Sequence, residues 1–257
     1  MIEKLNLQDK YRIAFCILIS FASLIFVQRY FKIAFPDASI KMDTTREEAQ
    51  ELAEQFLANS GYDIGEYIHA SRFGHHTTAK NFLEFELPAD EAGTILNNTN
   101  SYYWRNRWFI PEQKEEYKVF ISTSGNLAYF EHQLDEDSPG DSLTNRNAQN
   151  IAQFFLLGSI GIDIEDWELV DSKTEKLKNR WDHEFEWKEK IFNVNESTHR
   201  ITVKVQGDKV DFYNEWIKVP DVWKREYSKL RSNNEVLGSI GSAGTFITIF
   251  GIFIFIL

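Results

Sequence analysis

The segment TTREEAQELAEQFLANSGYDIGEY, residues 44 to 67, has the pattern of an amphipathic helix that ends at a glycine. A threonine, Thr44 or Thr45, precedes a pair of glutamates, which is typical of a helix N-terminus. Gly61 supplies the stop signal. The apolar residues that recur at helical spacing are Ala49, Leu52, Ala53, Phe56 and Leu57. The segment therefore predicts a helix that buries one face.

The same pattern returns in residues 143 to 167, which read LTNRNAQNIAQFFLLGSIGIDIEDW. The apolar positions that repeat are Ala148, Ile151, Ala152, Phe155 and Leu156. In both segments an Asp-Ile pair follows the helix and an aromatic residue, Tyr67 or Trp167, comes after it. Self-similarity at a fixed spacing indicates an internal duplication.

Each predicted helix is followed by segments that read as β-strands joined by tight turns. The turns contain Gly125 and Gly207. The predicted strands are residues 82–87, 119–121, 127–132, 183–187, 201–205 and 210–217. Each unit is thus a helix on one face of a small antiparallel sheet. The predicted fold class is α+β, with two tandem helix-plus-sheet repeats between two membrane helices.

The N-terminal apolar run, IAFCILISFASLIFV at residues 13 to 27, carries no charge. With the aromatic residues at its margins it reaches the roughly 20 residues needed to cross a bilayer. A cleaved signal peptide is the alternative, because Lys4, Lys10 and Arg12 form a positive leader. The exit of the run, VQRYFKIAF, lacks the small residues that signal peptidase requires, which favours a retained span.

The C-terminal run at residues 236 to 257 is also uncharged and predicts a second span. Its glycines, Gly238, Gly241 and Gly244, either let another helix approach closely or form a flexible entry to a lone anchor. No aromatic or basic residue follows Leu257 to anchor the far interface, so further membrane helices are expected after it.

Five segments follow from these patterns. They are a leader and membrane helix at 1–36 (span about 13–30), a first repeat at 37–138, a second repeat at 139–219, an amphipathic helix at 220–235 and a membrane helix at 236–257. Asn233 and Asn234 are expected to interrupt the chain between the last two. A short leader usually stays cytoplasmic, so the body between the two spans of this multi-pass protein is expected to be extracytoplasmic.

The amino-acid composition limits the kinds of partner that this protein is expected to bind. The net charge is −11 and the isoelectric point is near 5.1, which argues against binding nucleic acid. Cys16 is the single cysteine, so no intramolecular disulfide forms. The expected partners are the lipid bilayer and either further membrane helices or a peptide or protein substrate.

The duplicated unit resembles the PepSY-like modules of bacterial envelope proteins. More specifically, the chain resembles the N-terminal extension of some CPBP-family (CAAX-protease-like) intramembrane endopeptidases. The phrases that carry this resemblance are TREEAQELAEQFL, FIPEQKEEYKVFISTSGNLAYFEHQLDEDSPG, VQGDKVDFYNEWIKVP and WKREYSKLRSNNEVLG. The resemblance implies a substrate-engaging or regulatory module of such a protease. A stand-alone envelope protein that binds a peptide or protein is the alternative.

No catalytic residue, metal ligand or cofactor is predicted in this chain. Family members carry a Glu-Glu-x-x-x-Arg motif in later membrane helices, and here the pairs that begin at Glu47 and Glu115 both lack the arginine. Nucleophile-elbow, phosphate-loop and Rossmann patterns are likewise missing from the sequence. The neighbouring histidines His75 and His76 are expected in a solvated loop.

One aromatic and basic stretch is a candidate binding strip. Its residues are Tyr103, Arg105, Arg107 and Trp108. Aromatic rings interleaved with arginines can form an exposed binding surface. The alternative is a strand whose alternate residues enter the core.

Overall fold

The computed structural model describes residues 6–34 and 40–256, with side chains except those of 32–34 and 251–256. Lys4 of the predicted leader and Leu257 of the predicted second span lie outside the described residues. The helices are α1 (Leu7–Ala34), α2 (Arg46–Asn59), α3 (Thr77–Glu86), α4 (Ala89–Asn98), α5 (Asn145–Phe155) and α6 (Asp221–Ile256). The strands are β1 (Ile68–His75), β2 (Tyr102–Phe109), β3 (Glu116–Ser122), β4 (Leu127–Gln133), β5 (Trp167–Lys176), β6 (Trp181–Glu189), β7 (Thr198–Gln206) and β8 (Lys209–Lys218). The protein is therefore of the α+β class.

All eight strands belong to one antiparallel sheet with the order β1-β2-β3-β4-β8-β7-β6-β5. The sequence predicts a small sheet behind each helix, and the structure joins the strands of both segments into a continuous sheet. The junction is the β4–β8 pair, where Phe130 lies opposite Tyr213. This pairing connects strands that lie far apart in the sequence.

Helix α2 packs on the first half of the sheet. Its N-cap is Thr45, and Thr45 and Glu48 form the predicted capping box. The buried residues Ala49, Ala53 and Leu57 enter the main hydrophobic core. The predicted helix is confirmed, and so is its buried face except at Leu52, which is 37% exposed.

Helix α5 packs on the second half of the sheet in the same core. Thr144 is its N-cap, and Ala148 and Ala152 are fully buried. A single π-helical turn, Leu156–Ile160, extends the helix to Gly161, which adopts the left-handed conformation. The predicted second helix is confirmed as well.

Five of the six predicted strand segments lie within β3, β4, β6, β7 and β8. The sixth prediction, a strand at residues 82–87, is wrong, because this segment forms the second half of α3. Helical spacing places Ala79, Phe82 and Leu83 on one face, where they pack in a second core cluster with Leu96 of α4 and Ile217 of β8. The α3–α4 pair thereby closes one end of the sheet.

One N-terminal helix is long and apolar enough to cross a membrane, over Leu7–Phe31. At the other end, α6 begins at Asp221 beside α3, where Trp223 Nε1 donates a hydrogen bond of 2.8 Å to Glu86 Oε1. The predicted interruption at Asn233 and Asn234 is wrong, because α6 continues through both residues.

Candidate functional site

The sheet has one face covered by α2 and α5 and a second face, here called the open face. Side chains alternate between the two faces along each strand. The open face is formed by Tyr103, Arg105, Arg107, Glu116, Lys118, Phe120, Tyr129, Glu131, Phe212, Asn214 and Trp216. In the register of the sheet, Arg105, Phe120 and Tyr129 lie side by side on β2, β3 and β4.

The structure brings three residues of the predicted strip together and places the fourth elsewhere. Tyr103, Arg105 and Arg107 share the open face. Trp108 is 2% exposed on the opposite face, where it belongs to the main core and its ring lies 4.7 Å from that of His69. Tyr103 lies on the open-face side of β2 but is also only 2% exposed, so of the four predicted residues only Arg105 and Arg107 are placed to meet a partner on the open face.

A row of aromatic rings crosses the open face, with two stacked pairs and one edge-to-face pair. The ring centroids of Tyr103 and Phe120 lie 5.0 Å apart, those of Phe120 and Tyr129 4.5 Å, and those of Tyr129 and Phe212 5.4 Å. The Arg105 guanidinium lies 5.3 Å from the centroids of both Tyr103 and Phe120. The sequence prediction missed Phe120, Tyr129 and Phe212, although the alternation along the predicted hairpin around Gly125 signals the common face of Phe120 and Tyr129.

Acidic residues neutralise one part of this face. Glu116 accepts hydrogen bonds from Arg107 and forms a salt bridge of 2.7 Å with Lys118. Lys118 Nζ also lies 2.9 Å from Glu131 Oε2. Burial opposes ionisation of Glu116, but the hydrogen bonds from Lys118 and Arg107 outweigh it and lower the pKa of this carboxyl. The arrangement is a chain of alternating charges.

Arg72 and Arg105 are not neutralised in this way. They lie directly opposite each other in the β1–β2 ladder. Arg105 donates a hydrogen bond of 3.2 Å to the Tyr103 hydroxyl, and neither arginine forms a salt bridge in the described part of the chain. Like charges that face each other across strands are destabilising, and a bound anion would relieve this repulsion.

Two of the buried histidines on the helix-covered face, His199 and His132, contact carboxylates and lie outside the predicted strip. His199 Nδ1 is 2.7 Å from Glu189 Oε2, and its Nε2 is 2.9 Å from Glu215 Oε1. Asn100 donates a hydrogen bond of 2.7 Å to the second oxygen of Glu215. Burial alone would lower the pKa of His199, but the two carboxylates outweigh it and raise this pKa to about 9. A cavity of about 600 Å³ borders this cluster.

His132 has a similar setting. Its Nδ1 lies 2.9 Å from Asp211 Oδ1 and its Nε2 lies 2.8 Å from Glu115 Oε1. Burial again opposes the positive charge, and the hydrogen bonds to Asp211 and Glu115 raise the pKa of His132 nevertheless. Both ring nitrogens of His132 and of His199 therefore contact carboxylate oxygens. Each of these imidazoles is thereby held in place through both of its nitrogens.

Among residues 6–34 and 40–256, no group of three or more His, Cys, Asp or Glu side chains is arranged to hold a metal ion. What the open face offers instead is aromatic surface, arginine side chains and strand edges, which are features of binding. A comparison of the chain with protein-family models, curated proteins and solved structures finds no match among any of the three.

Proposed function

We propose that this chain is a membrane-anchored, extracytoplasmic, non-catalytic module that binds an extended polypeptide segment along strand β1. In the fuller form of the proposal, it is the substrate-engaging N-terminal part of a CPBP-type intramembrane protease, and proteolysis belongs to membrane helices outside this chain. The alternative is an envelope protein that binds its peptide or protein partner without a protease.

The observation that carries the proposal is the contrast between the two edges of the sheet. The edge strand β5 carries several charged side chains and has a register shift between Leu169 and Asp171, two features that discourage pairing with another strand. Strand β1 pairs with β2 over all eight residues from Ile68 to His75 without a shift. Its one acidic or basic side chain other than histidine is Arg72. Such an edge accepts an added strand.

The charge of the groove beside β1 indicates which kind of polypeptide segment would bind there. A groove of about 240 Å³ adjoins β1 on the open face. It is lined by Ala70, Ser71, Arg72, Arg105, Arg107, Lys118 and Phe120. Arg107 and Lys118 are paired with Glu116 and Glu131. The positive charge of the groove therefore comes from Arg72 and Arg105, in a chain whose net charge is −11. An extended segment with acidic residues on one face fits this edge through main-chain hydrogen bonds and charge complementarity.

Two packing relationships support the proposed PepSY-like tandem repeat. Phe56 of α2 packs on Phe130 of β4 with ring centroids 4.9 Å apart, and Phe155 of α5 packs on Tyr213 of β8 with centroids 5.8 Å apart. In both segments the helix precedes four strands of the sheet. The second membrane span is proposed in the C-terminal half of α6, because this part of the helix carries no charge after Glu235.

Peptide binding is tested with the full chain in detergent micelles. The probe is a fluorescent decapeptide of alternating threonine and glutamate, read by anisotropy. Arg72→Glu is expected to weaken binding by about tenfold or more, because it reverses the charge at the edge. The matched control is Lys173→Glu on the opposite edge strand, which is expected to bind like the wild type. Equal loss in both variants, or equal binding of a threonine–lysine peptide, would overturn the proposal.

Location is tested by cysteine labelling in whole cells. Cys16→Ser removes the single cysteine, and Gln55→Cys then adds one on the exposed side of α2. A membrane-impermeant maleimide is expected to label this cysteine in intact cells. Labelling only after the cells are opened would contradict an extracytoplasmic body. The genomic DNA downstream of the Leu257 codon separates the two forms of the proposal, because only the protease form continues into helices with a Glu-Glu-x-x-x-Arg motif.

A further inference from the structure

A second cavity, of about 460 Å³, lies where β1 turns into α3. His76 is the N-cap residue of α3, and the cavity is completed by Tyr103 and Arg105 of β2 and by Asn214 and Trp216 of β8. The exposed residues Thr77 and Thr78 also line it, so solvent reaches the cavity. Its volume is that of a small-molecule site.

Three residues that line this cavity each carry a buried polar atom with no hydrogen-bond partner among residues 6–34 and 40–256. The atoms are His76 Nε2, Arg105 Nε and Asn214 Oδ1. Buried polar atoms in folded proteins are nearly always hydrogen-bonded, because an unsatisfied one costs about 1–3 kcal/mol. Three such atoms from three different elements in one cavity indicate a site built for a ligand.

The positive charge of Arg105 indicates that the ligand is an anion. Its guanidinium contacts two aromatic rings and the Tyr103 hydroxyl, and it lies opposite Arg72 rather than opposite a carboxylate. Gly74 on the neighbouring strand makes room for it, since a β-carbon there would lie 2.7 Å from Arg105 Nε. The guanidinium fork matches the geometry of a carboxylate.

His76 supplies a second group beside Arg105. Burial first, and then the nearby Arg105 charge, lower the pKa of His76 to about 4. The other charged or titratable groups around its ring are Glu215, His75, Tyr103 and Lys224. His76 is therefore neutral at neutral pH, and an anion bound next to it would favour its protonation.

We infer that this cavity is a binding site for a small organic carboxylate, which pairs with Arg105 and His76 while Asn214 hydrogen-bonds the rest of the ligand. The Trp216 side chain, which lines the cavity, suits a ligand with a flat apolar part. Binding takes up a proton at His76, so affinity rises as pH falls. This site goes beyond the proposed peptide edge, since His76, Asn214 and Trp216 do not line the groove beside β1.

The test is a titration of the full chain in detergent micelles with benzoate, followed by the imidazole signals of ¹⁵N-labelled histidine. His76→Gln identifies the His76 signal. Benzoate is expected to shift this signal and to bind at least about threefold tighter at pH 6 than at pH 8. Benzamide, the neutral isostere, is expected not to bind.

Variants then locate the site. Arg105→Gln is expected to weaken benzoate binding at least about tenfold, because the paired charge is lost. The matched control is Arg107→Gln, two residues further along the same strand and face, which is expected to bind benzoate normally. Gly74→Ala tests the same contact without removing a charge, and it is expected to weaken binding by displacing the Arg105 side chain.

Several results would overturn the inference. The first is the absence of any shift at about 20 mM benzoate, because a site that needs more than this would be far weaker than ordinary ligand sites. The others are equal binding of benzoate and inorganic phosphate, and unchanged benzoate binding in folded Arg105→Gln. Failure of the proposed peptide binding at β1 is distinguishable from failure of the carboxylate site. Arg72→Glu is expected to affect binding of the threonine–glutamate peptide, whereas His76→Gln is expected to affect binding of benzoate alone.

Discussion

Phe130 of β4 lies directly opposite Tyr213 of β8, and this pair forms the centre of the junction between the two halves of the sheet. Both residues are fully buried. Each ring packs against the helix of its own half, Phe130 on Phe56 and Tyr213 on Phe155. The junction therefore couples α2, the sheet and α5 in one core.

Shortening Phe130 is expected to destabilise the whole sheet domain. Phe130→Ala removes a buried ring and leaves a cavity, at a cost of about 3–5 kcal/mol. Urea unfolding followed by tryptophan fluorescence measures the loss in the free energy of unfolding. The control is Phe154→Ala, because Phe154 is 75% exposed on α5. Similar losses in the two variants would contradict the central role of the junction.

Stability is expected to fall at alkaline pH through His199. The pKa of His199 is about 9 in the folded protein and 6.5 ordinarily, so its stabilisation is complete below pH 6.5 and disappears as pH rises through 9. At about 1.4 kcal/mol per pKa unit, the effect reaches about 3 kcal/mol. Urea titrations between these pH values measure it.

The control for this pH effect is another buried histidine. His183 contacts the Thr174 hydroxyl and the Leu143 carbonyl rather than a carboxylate. His199→Gln is expected to flatten the pH dependence of the free energy of unfolding, whereas His183→Gln is expected to keep it. A pH profile of His199→Gln parallel to that of the wild type would show that the stabilisation arises elsewhere.

The capping box of α2 gives a smaller, local prediction. Thr45→Ala removes the hydroxyl that accepts the Glu48 main-chain N–H and is expected to cost about 1 kcal/mol. Gln55→Ala, an exposed position on the same helix, is expected to change stability by less than about 0.5 kcal/mol. Thermal and urea unfolding check both values. Equal effects of the two changes would argue against the capping box.

Replacement of two glycines after α5 by alanine is expected to change the free energy of unfolding in opposite directions. Gly161 has a φ angle of +79°, so Gly161→Ala is expected to destabilise by about 1 kcal/mol. Gly158 lies in the helical turn with open space around it, so Gly158→Ala is expected to stabilise by about 0.5–1 kcal/mol. The difference between the two variants in urea unfolding is the measurement. Equal signs would contradict the left-handed termination at Gly161.

Local signals in the sequence determined much of the secondary structure. Helices α2 and α5, the hairpins around Gly125 and Gly207, and the apolar helix α1 follow from side-chain period, caps and turn residues, which act over a few residues. Residues 82–87 were misjudged because a short apolar run fits both a strand and a helix. The packing of α3 on α4 and β8 decided in favour of the helix.

Only the tertiary structure decided how these elements meet. The β4–β8 pairing joins strands that are distant in the sequence, and no local pattern specifies it. Of the four residues of the predicted strip, Tyr103, Arg105 and Arg107 lie on the open-face side of β2 and Trp108 lies on the core side, because side chains alternate along a strand. Tyr103 is nevertheless as buried as Trp108, which only the packing around it decides. The unpaired polar atoms of His76, Arg105 and Asn214 share a cavity for the same reason: three elements converge there only in the folded chain.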